Sequence, residues 1–378
     1  MTQLINELFA DKEPSKESID SFIEAHEFPL VEPGRVTFVY RGAGDEVILR
    51  RWISGHSTAR PMTRMGQSDL WALTMALPDL SRFEYKFEVV SQGNRHLILD
   101  ELNDVLAHDP FGANSVCQGF GYERPDWTFN DEESRSGTVE DYRFHSPAFG
   151  EERDIQVYLP ARFRPSRQYP LLIVHDGSDF VRFAELKTVL DNLIHRLEVP
   201  PMIVALTNSA DRLGEYTCND KHAQFLAEDL LGFMESSFPL MGEPTARAVM
   251  GASLGAVASF HAAAKYPDKF GRLLLQSGTF LFTDLGRNNK GEALDPIVSF
   301  INKYRSDPWK IAERIYVSCG VYESLIYENR SLIPVLQSQE TLINFEEARD
   351  AHNWENWRDR LRSGLTWLLP GPLWMVYE

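Results

Sequence analysis

The sequence predicts an α/β fold, a mainly parallel sheet covered by helices on both faces, preceded by a small all-β sandwich. Three observations carry this. Residues 34–118 alternate short β patterns with Gly, Asp and Ser turns, compact apolar strands alternate with amphipathic stretches from about residue 150, and 378 residues suffice for two ordinary domains.

The first 30 residues are polar and partly periodic, enough for one or two short helices. Strand patterns follow at 37–40, 47–49 and 70–73, and most clearly in RFEYKFEVV, where a period of two sets Phe83, Tyr85, Phe87 and Val89 on one face and mostly polar residues on the other. Residues 1–118 therefore read as one β-sandwich domain. The segment 119–148, containing GFGYERPDWTFNDEESRSG, reads as a linker. Its aromatics Phe120, Tyr122, Trp127 and Phe129 predict a docked linker, because a free tether would leave those rings in water. The remainder, 149–378, carries apolar strands at 170–174, 202–206, 247–250, 273–275 and 315–319, with helical segments near 181–197, 221–236, 254–265, 325–338 and 354–364. Continuous apolar strands between helices imply a parallel sheet buried on both sides.

A net charge of −17 argues against nucleic-acid binding and against retention on an anionic membrane, since both need local excess Lys and Arg. The N-terminal residues are acidic where a secretory signal would be basic and then apolar, and no stretch is long enough to span a bilayer, so a cytoplasmic location is expected. Cys117, Cys218 and Cys319 are far apart and form no C-x-x-C pair, which suits reduced thiols and no metal site.

The chemistry concentrates in RAVMGASLGAVA (247–258), where a strand runs into G-x-S-x-G and on into a helix of small residues. In that context a strained turn lifts the Ser253 hydroxyl above the sheet edge, and the helix start supplies the Leu254 N–H to a developing oxyanion. Serine needs a histidine base, and an acid must hold that histidine in its tautomer. After Ser253, His261 lies within the same helix, which leaves His352 in RDAHNW as the base. Glu323, just after the strand IYVSC, is the favoured acid; Glu328 and Asp350 compete with it. The loop HDGSDF after PLLIV offers the second oxyanion donor through Gly177 or Ser178, and His175 within it is read as packed at the sheet end.

These motifs, with DRLGEY (211–216), QSGTF (276–280), CGVYES followed by Asn329-Arg330, and HNWENWRDRL (352–361), resemble an esterase branch of the α/β hydrolases that includes enterochelin esterase, esterase D and feruloyl esterases. The resemblance spans about 140–370 and implies an α/β-hydrolase domain with a triad of Ser253, Glu323 and His352. It also implies that Arg212 and Glu215 form an ion pair beside the site, with Arg212 and Asp176 as substrate contacts. Asp350-Ala351 departs from the Gly-Gly that often precedes the family histidine. The N-terminal region resembles the early-set immunoglobulin-like domains of such enzymes and of glucan-active proteins; Trp52, Trp71 and Tyr85 are candidates for a sugar platform there, but aromatics on alternating strands are more often core, which is the favoured reading. The expected activity is hydrolysis of a small-molecule ester through an acyl-enzyme without a cofactor. A siderophore trilactone, a feruloyl or acetyl sugar ester and a small thioester are the candidate substrates. The reading from another class is a non-catalytic glycan- or partner-binding protein on a hydrolase scaffold.

Overall fold

A computed structural model describes residues 3–9, 14–53, 56–283 and 291–372, with the side chains of 52–58 left undescribed. The chain divides into two compact units: residues 1–124 with 320–324 and 348–353, and residues 125–319 with 325–347 and 354–378.

In the first unit, helices Gln3–Leu8 and Lys16–Glu24 precede two antiparallel sheets. Ser15 caps the second helix by accepting from the Ser18 N–H. Ile5, Ile19 and Phe22 then bury their apolar face against Leu30, Val39 and Leu70. One sheet has four strands, with Arg35–Arg41 and Leu70–Ala76 at its centre; the other has six, built around Arg82–Ser91. Val36 and Phe38 from the first meet Leu49, Phe83, Tyr85, Phe87 and Cys117 from the second in a single core, the packing of a β-sandwich.

One expectation changes here. The polar face of Arg82–Ser91 is buried as well, because this strand is flanked by Glu46–Ile53 and Gly112–Gln118. Its charges are paired within the fold: Arg50 donates to Glu88 at 2.6 Å and Asn114 donates to Glu84 at 2.7 Å. Trp71 and Tyr85 are core, as favoured, and not a sugar platform: both are buried, the indole donating to the Gly42 carbonyl and the phenol to Asp100. The side chain of Trp52 lies outside the described residues.

The second unit is an α/β-hydrolase fold on an eight-stranded sheet. Its spatial order is Thr138–Ser146, Glu151–Leu159, Ile203–Thr207, Leu171–His175, Arg247–Ala252, Arg272–Gln276, Arg314–Gly320 and Leu342–Ala348. The first two strands run antiparallel, and the pairings from Ile203–Thr207 to Arg314–Gly320 are parallel. Alternation along each strand splits the core in two. Ile173, Val249, Leu273 and Val317 face helices Leu254–Lys265 and Asp295–Ser306, whereas Leu172, Val174, Met250 and Leu274 face helices Leu186–His195 and Leu361–Leu368.

Within 119–148, residues 138–146 form the edge strand, which carries Glu140, Asp141 and Arg143, charges that discourage further strand pairing. Asn192 donates to the carbonyls of Trp127 and Phe129, while the rings of Phe120 and Phe129 are each 49% exposed, so these two are not the buried anchors expected of a docked linker. Cys117, Cys218 and Cys319 form no disulfide. Among the described residues, no helix is long and apolar enough to cross a membrane.

Candidate active site

The strand Arg247–Ala252 hands over to the helix Leu254–Lys265 through one residue, Ser253, whose backbone sits at φ 57° and ψ −118°. A non-glycine residue there costs roughly 1–3 kcal/mol, so the surroundings must hold it. They do. The Ser253 N–H donates to the Gln276 carbonyl at 2.9 Å, and the Ser253 carbonyl accepts from the Thr279 N–H at 3.3 Å. Gly251 makes the turn possible, because a methyl group at its Cα would lie 2.9 Å from the Cα of Gly255. Leu254 opens the helix, and its N–H therefore has no acceptor within the helix.

The hydroxyl of Ser253 lies 3.3 Å from that of Thr279. Behind them, Asn329 clamps Gly278, accepting from its N–H at 3.2 Å and donating to its carbonyl at 2.9 Å. Trp357 donates from its indole to Ser277 Oγ and accepts at its carbonyl from Gln276. Sequence reasoning noticed QSGTF and Asn329 but missed this buttressing task. Nothing in their spacing announces a contact 51 residues apart.

The HDG loop lies against the elbow helix: a methyl group at Gly255 would come 3.1 Å from His175 Cβ and 3.6 Å from Asp176 Oδ2. Gly177 begins a short helix, Gly177–Phe183, and the Ser178 N–H is engaged by Asn208 Oδ1 at 3.2 Å. Arg212 binds Asp176, its Nη2 and Nε lying 2.9 and 3.0 Å from Oδ2. It does not pair with Glu215. Glu215 instead accepts from Arg153 at 2.8 Å and lies 3.3 Å from His222 Nδ1. The expected Arg212–Glu215 pair is thus replaced by two others, because the turn Arg212–Tyr216 points the two side chains to different neighbours. Arg212 reaches the site already neutralised by Asp176.

Beneath this loop, His175 is fully buried. Burial, then the neighbouring His222, push its pKa well below the ordinary value, so the ring is neutral. Its Nδ1 faces the Met250 carbonyl at 3.1 Å and must carry the proton. Its Nε2 therefore accepts from His222 Nε2 at 3.0 Å. Burial opposes ionisation of Glu215, yet the neighbouring His222 and the bond from Arg153 outweigh it and hold the carboxyl at about 2. His261 is buried within its helix, and desolvation lowers it to about 4.

In the first unit, Glu323 and His352 come together. His352 Nδ1 donates to Glu323 Oε2 at 2.8 Å, and the Gly320 N–H donates to Glu323 Oε1 at 2.8 Å. The glutamate is buried and the imidazole partly exposed, an arrangement that fixes one tautomer and leaves Nε2 as the basic nitrogen. Asp350 is committed elsewhere: it accepts from Arg82 at 3.3 Å, from Asn353 Nδ2 at 2.8 Å and from the Ala351 N–H at 2.7 Å. Glu328 belongs to the helix Ile326–Gln337.

A model of the family described as Putative esterase matches residues 146–368, more than half of the chain. The uncharacterized protein YjcH of Bacillus subtilis (strain 168) is 25% identical over 242 residues, covering 62% of this chain and 99% of that protein. The iron(III) enterobactin esterase of Escherichia coli (strain K12) is 24% identical over 204 residues, covering 53% of this chain. That match spans 50% of the enzyme's own length. The solved ferric enterobactin esterase of Salmonella typhimurium shares the fold, with a TM-score of 0.73 at 21% identity over 88% of this chain and 93% of the other.

Proposed function

The chain belongs to this family of ester hydrolases, and from that premise we propose that it cleaves carboxylic esters through an acyl-enzyme, with Ser253 as nucleophile, His352 as base and Glu323 orienting the histidine. The observation that carries the reading is the backbone of Ser253, held at φ 57° at a helix start by two backbone bonds to the segment 276–279. Strained backbone of this kind is concentrated at active sites. The tautomer set by Glu323 gives the proposed base the lone pair it needs.

Ser253 Oγ attacks the ester carbonyl carbon while its proton passes to His352 Nε2. The oxyanion is met by the N–H groups of Leu254 and Gly177, with Ser178 the lesser donor because Asn208 already engages its N–H. Collapse expels the alcohol, which takes the proton from His352, and water then repeats the sequence to free the acid. Asp176 and Arg212 stand at this rim as a neutral pair that can donate and accept hydrogen bonds to a substrate.

The proposed substrate is a siderophore lactone of the enterobactin kind. The similarity to iron(III) enterobactin esterases supports this, and so does the structural likeness over 88% of the chain, which extends beyond the hydrolase unit. Ser253→Ala is expected to lower kcat on a p-nitrophenyl ester by roughly 10³-fold or more and to abolish fluorophosphonate labelling, with the fold intact. Undiminished turnover in that variant would remove Ser253 from the mechanism. Product analysis on catecholate trilactones and feruloylated sugars tests the substrate class.

A further inference from the structure

A cavity of about 480 Å³ in the second unit is lined by Arg135, Arg162, Arg164, Arg167 and His195. It is not the candidate active site. The cavity includes Tyr169 and Pro201, which precede the starts of the parallel strands Leu171–His175 and Ile203–Thr207, whereas Ser253 follows the end of Arg247–Ala252. Leu171 is in register with Arg247, so the two places are separated by a strand of six residues, about 20 Å at roughly 3.3 Å per residue.

Four arginines in one cavity are out of keeping with a chain of net charge −17. Guanidinium groups stay protonated at any physiological pH, so these four exposed arginines present positive charge to whatever enters the cavity. Among the described residues, none of the four has an ion-pair partner, and no carboxylate lines the cavity. Of the acids on the neighbouring segments, Asp126 and Asp131 are engaged by Arg196, Glu198 by Arg362 and Asp191 by Lys187, while Glu132 and Glu133, exposed just before Arg135, are not part of the cavity wall. The arginines come from separate places, Arg135 before the edge strand and the others from the turn 162–167, so they can address more than one anionic group. Between them the wall is apolar, with Ile194, Pro201 and Leu197, the last 51% exposed. The volume falls in the range of small-ligand sites.

We propose that this cavity binds a small ligand carrying two or more clustered phosphates, the arginines taking the phosphates and the apolar wall taking the ligand's organic body. Guanidinium forks suit phosphate oxygens, and the exposed leucine beside them favours a nucleoside polyphosphate over the inorganic anion.

The test is calorimetric titration of the full chain with ADP, ATP, inorganic pyrophosphate and adenosine, repeated on Arg164→Gln/Arg167→Gln. The proposal expects submillimolar binding of ADP or ATP that weakens with added salt, no binding of adenosine, and at least a tenfold loss in the double variant. Basal ester hydrolysis and melting temperature of that variant should match the parent chain, which separates loss of binding from loss of fold. Tighter binding of ADP than of pyrophosphate assigns the site to nucleotides, and equal binding assigns it to inorganic polyphosphate; both retain the anion site. Absence of binding by every phosphate tested, or full retention of affinity in the double variant, would overturn it. Because the readout is binding, failure here leaves the esterase reading untouched.

Discussion

Gly320→Ala perturbs the geometry of the Glu323–His352 pair without substituting either residue. Gly320 ends the strand Arg314–Gly320, and a methyl group there would lie 2.8 Å from Glu323 Oε1 and 2.8 Å from the carbonyl carbon of Asp350, and closer still to that carbonyl's oxygen. Ordinary contact begins at 3.4 Å, so the carboxylate and the Asp350 backbone must each retreat by about 0.6 Å or more. The first carries the proposed acid and the second lies two residues before the proposed base. A misplacement of about 1 Å can cost about 10²-fold in rate. The expected result is a kcat some 10- to 100-fold lower with KM little changed, together with about 1–3 kcal/mol of lost stability from overpacking. Kinetics on a p-nitrophenyl ester and urea unfolding measure the two separately. The control is Gly364→Ala, where the added methyl group meets Leu274 Cδ1 at 2.8 Å and the Tyr316 ring at 3.0 Å; it should cost stability and leave kcat alone. If Gly320→Ala turned over ester like the parent chain, precise placement of Glu323 would not matter to the reaction, and the reasoning would be refuted.

Glu323→Gln should depress kcat by about 10³- to 10⁴-fold while the fold survives, because the histidine loses its tautomeric anchor; Asp350→Asn should keep its turnover and lose about 1–3 kcal/mol, since buried Arg82 forfeits a charge partner. Equal kinetic damage from both substitutions would show that the acid had been wrongly chosen. Asp100 is raised by burial from 3.8 to about 6, so the folded chain binds the extra proton and stability falls as pH rises through that window. Asp100→Asn removes the penalty, and its stability relative to the parent should improve by about 1–3 kcal/mol between about pH 4 and pH 7 in urea unfolding. Glu215 has the opposite sign: held at about 2 against an ordinary 4.5, it stabilises fully above about pH 4.5 and progressively less as pH falls toward 2. Glu215→Gln should therefore cost about 2–3 kcal/mol near neutrality, a difference that thermal melts should find shrinking in acid.

What the sequence by itself determined is what a few neighbouring residues decide. The helix Leu254–Lys265 coincides with its expected span, and Ser253 takes its strained backbone because Gly251 and Gly255 flank it within the same turn. Alternating and continuous apolar runs likewise placed the parallel strands. Tertiary structure alone chose the partners of the charges. Arg212 turned to Asp176, 36 residues away, and Glu215 to Arg153, 62 residues away. The polar face of Arg82–Ser91 was closed over and its charges paired, and Trp71 and Tyr85 became core when a second sheet covered them. Four arginines were gathered around one cavity by a turn and a segment some 30 residues apart. The physical reason is range. Backbone conformation and apolar periodicity are settled within a turn or a strand. An ion pair is selected by whichever opposite charge the packed core brings within about 4 Å, and no local pattern encodes that distance.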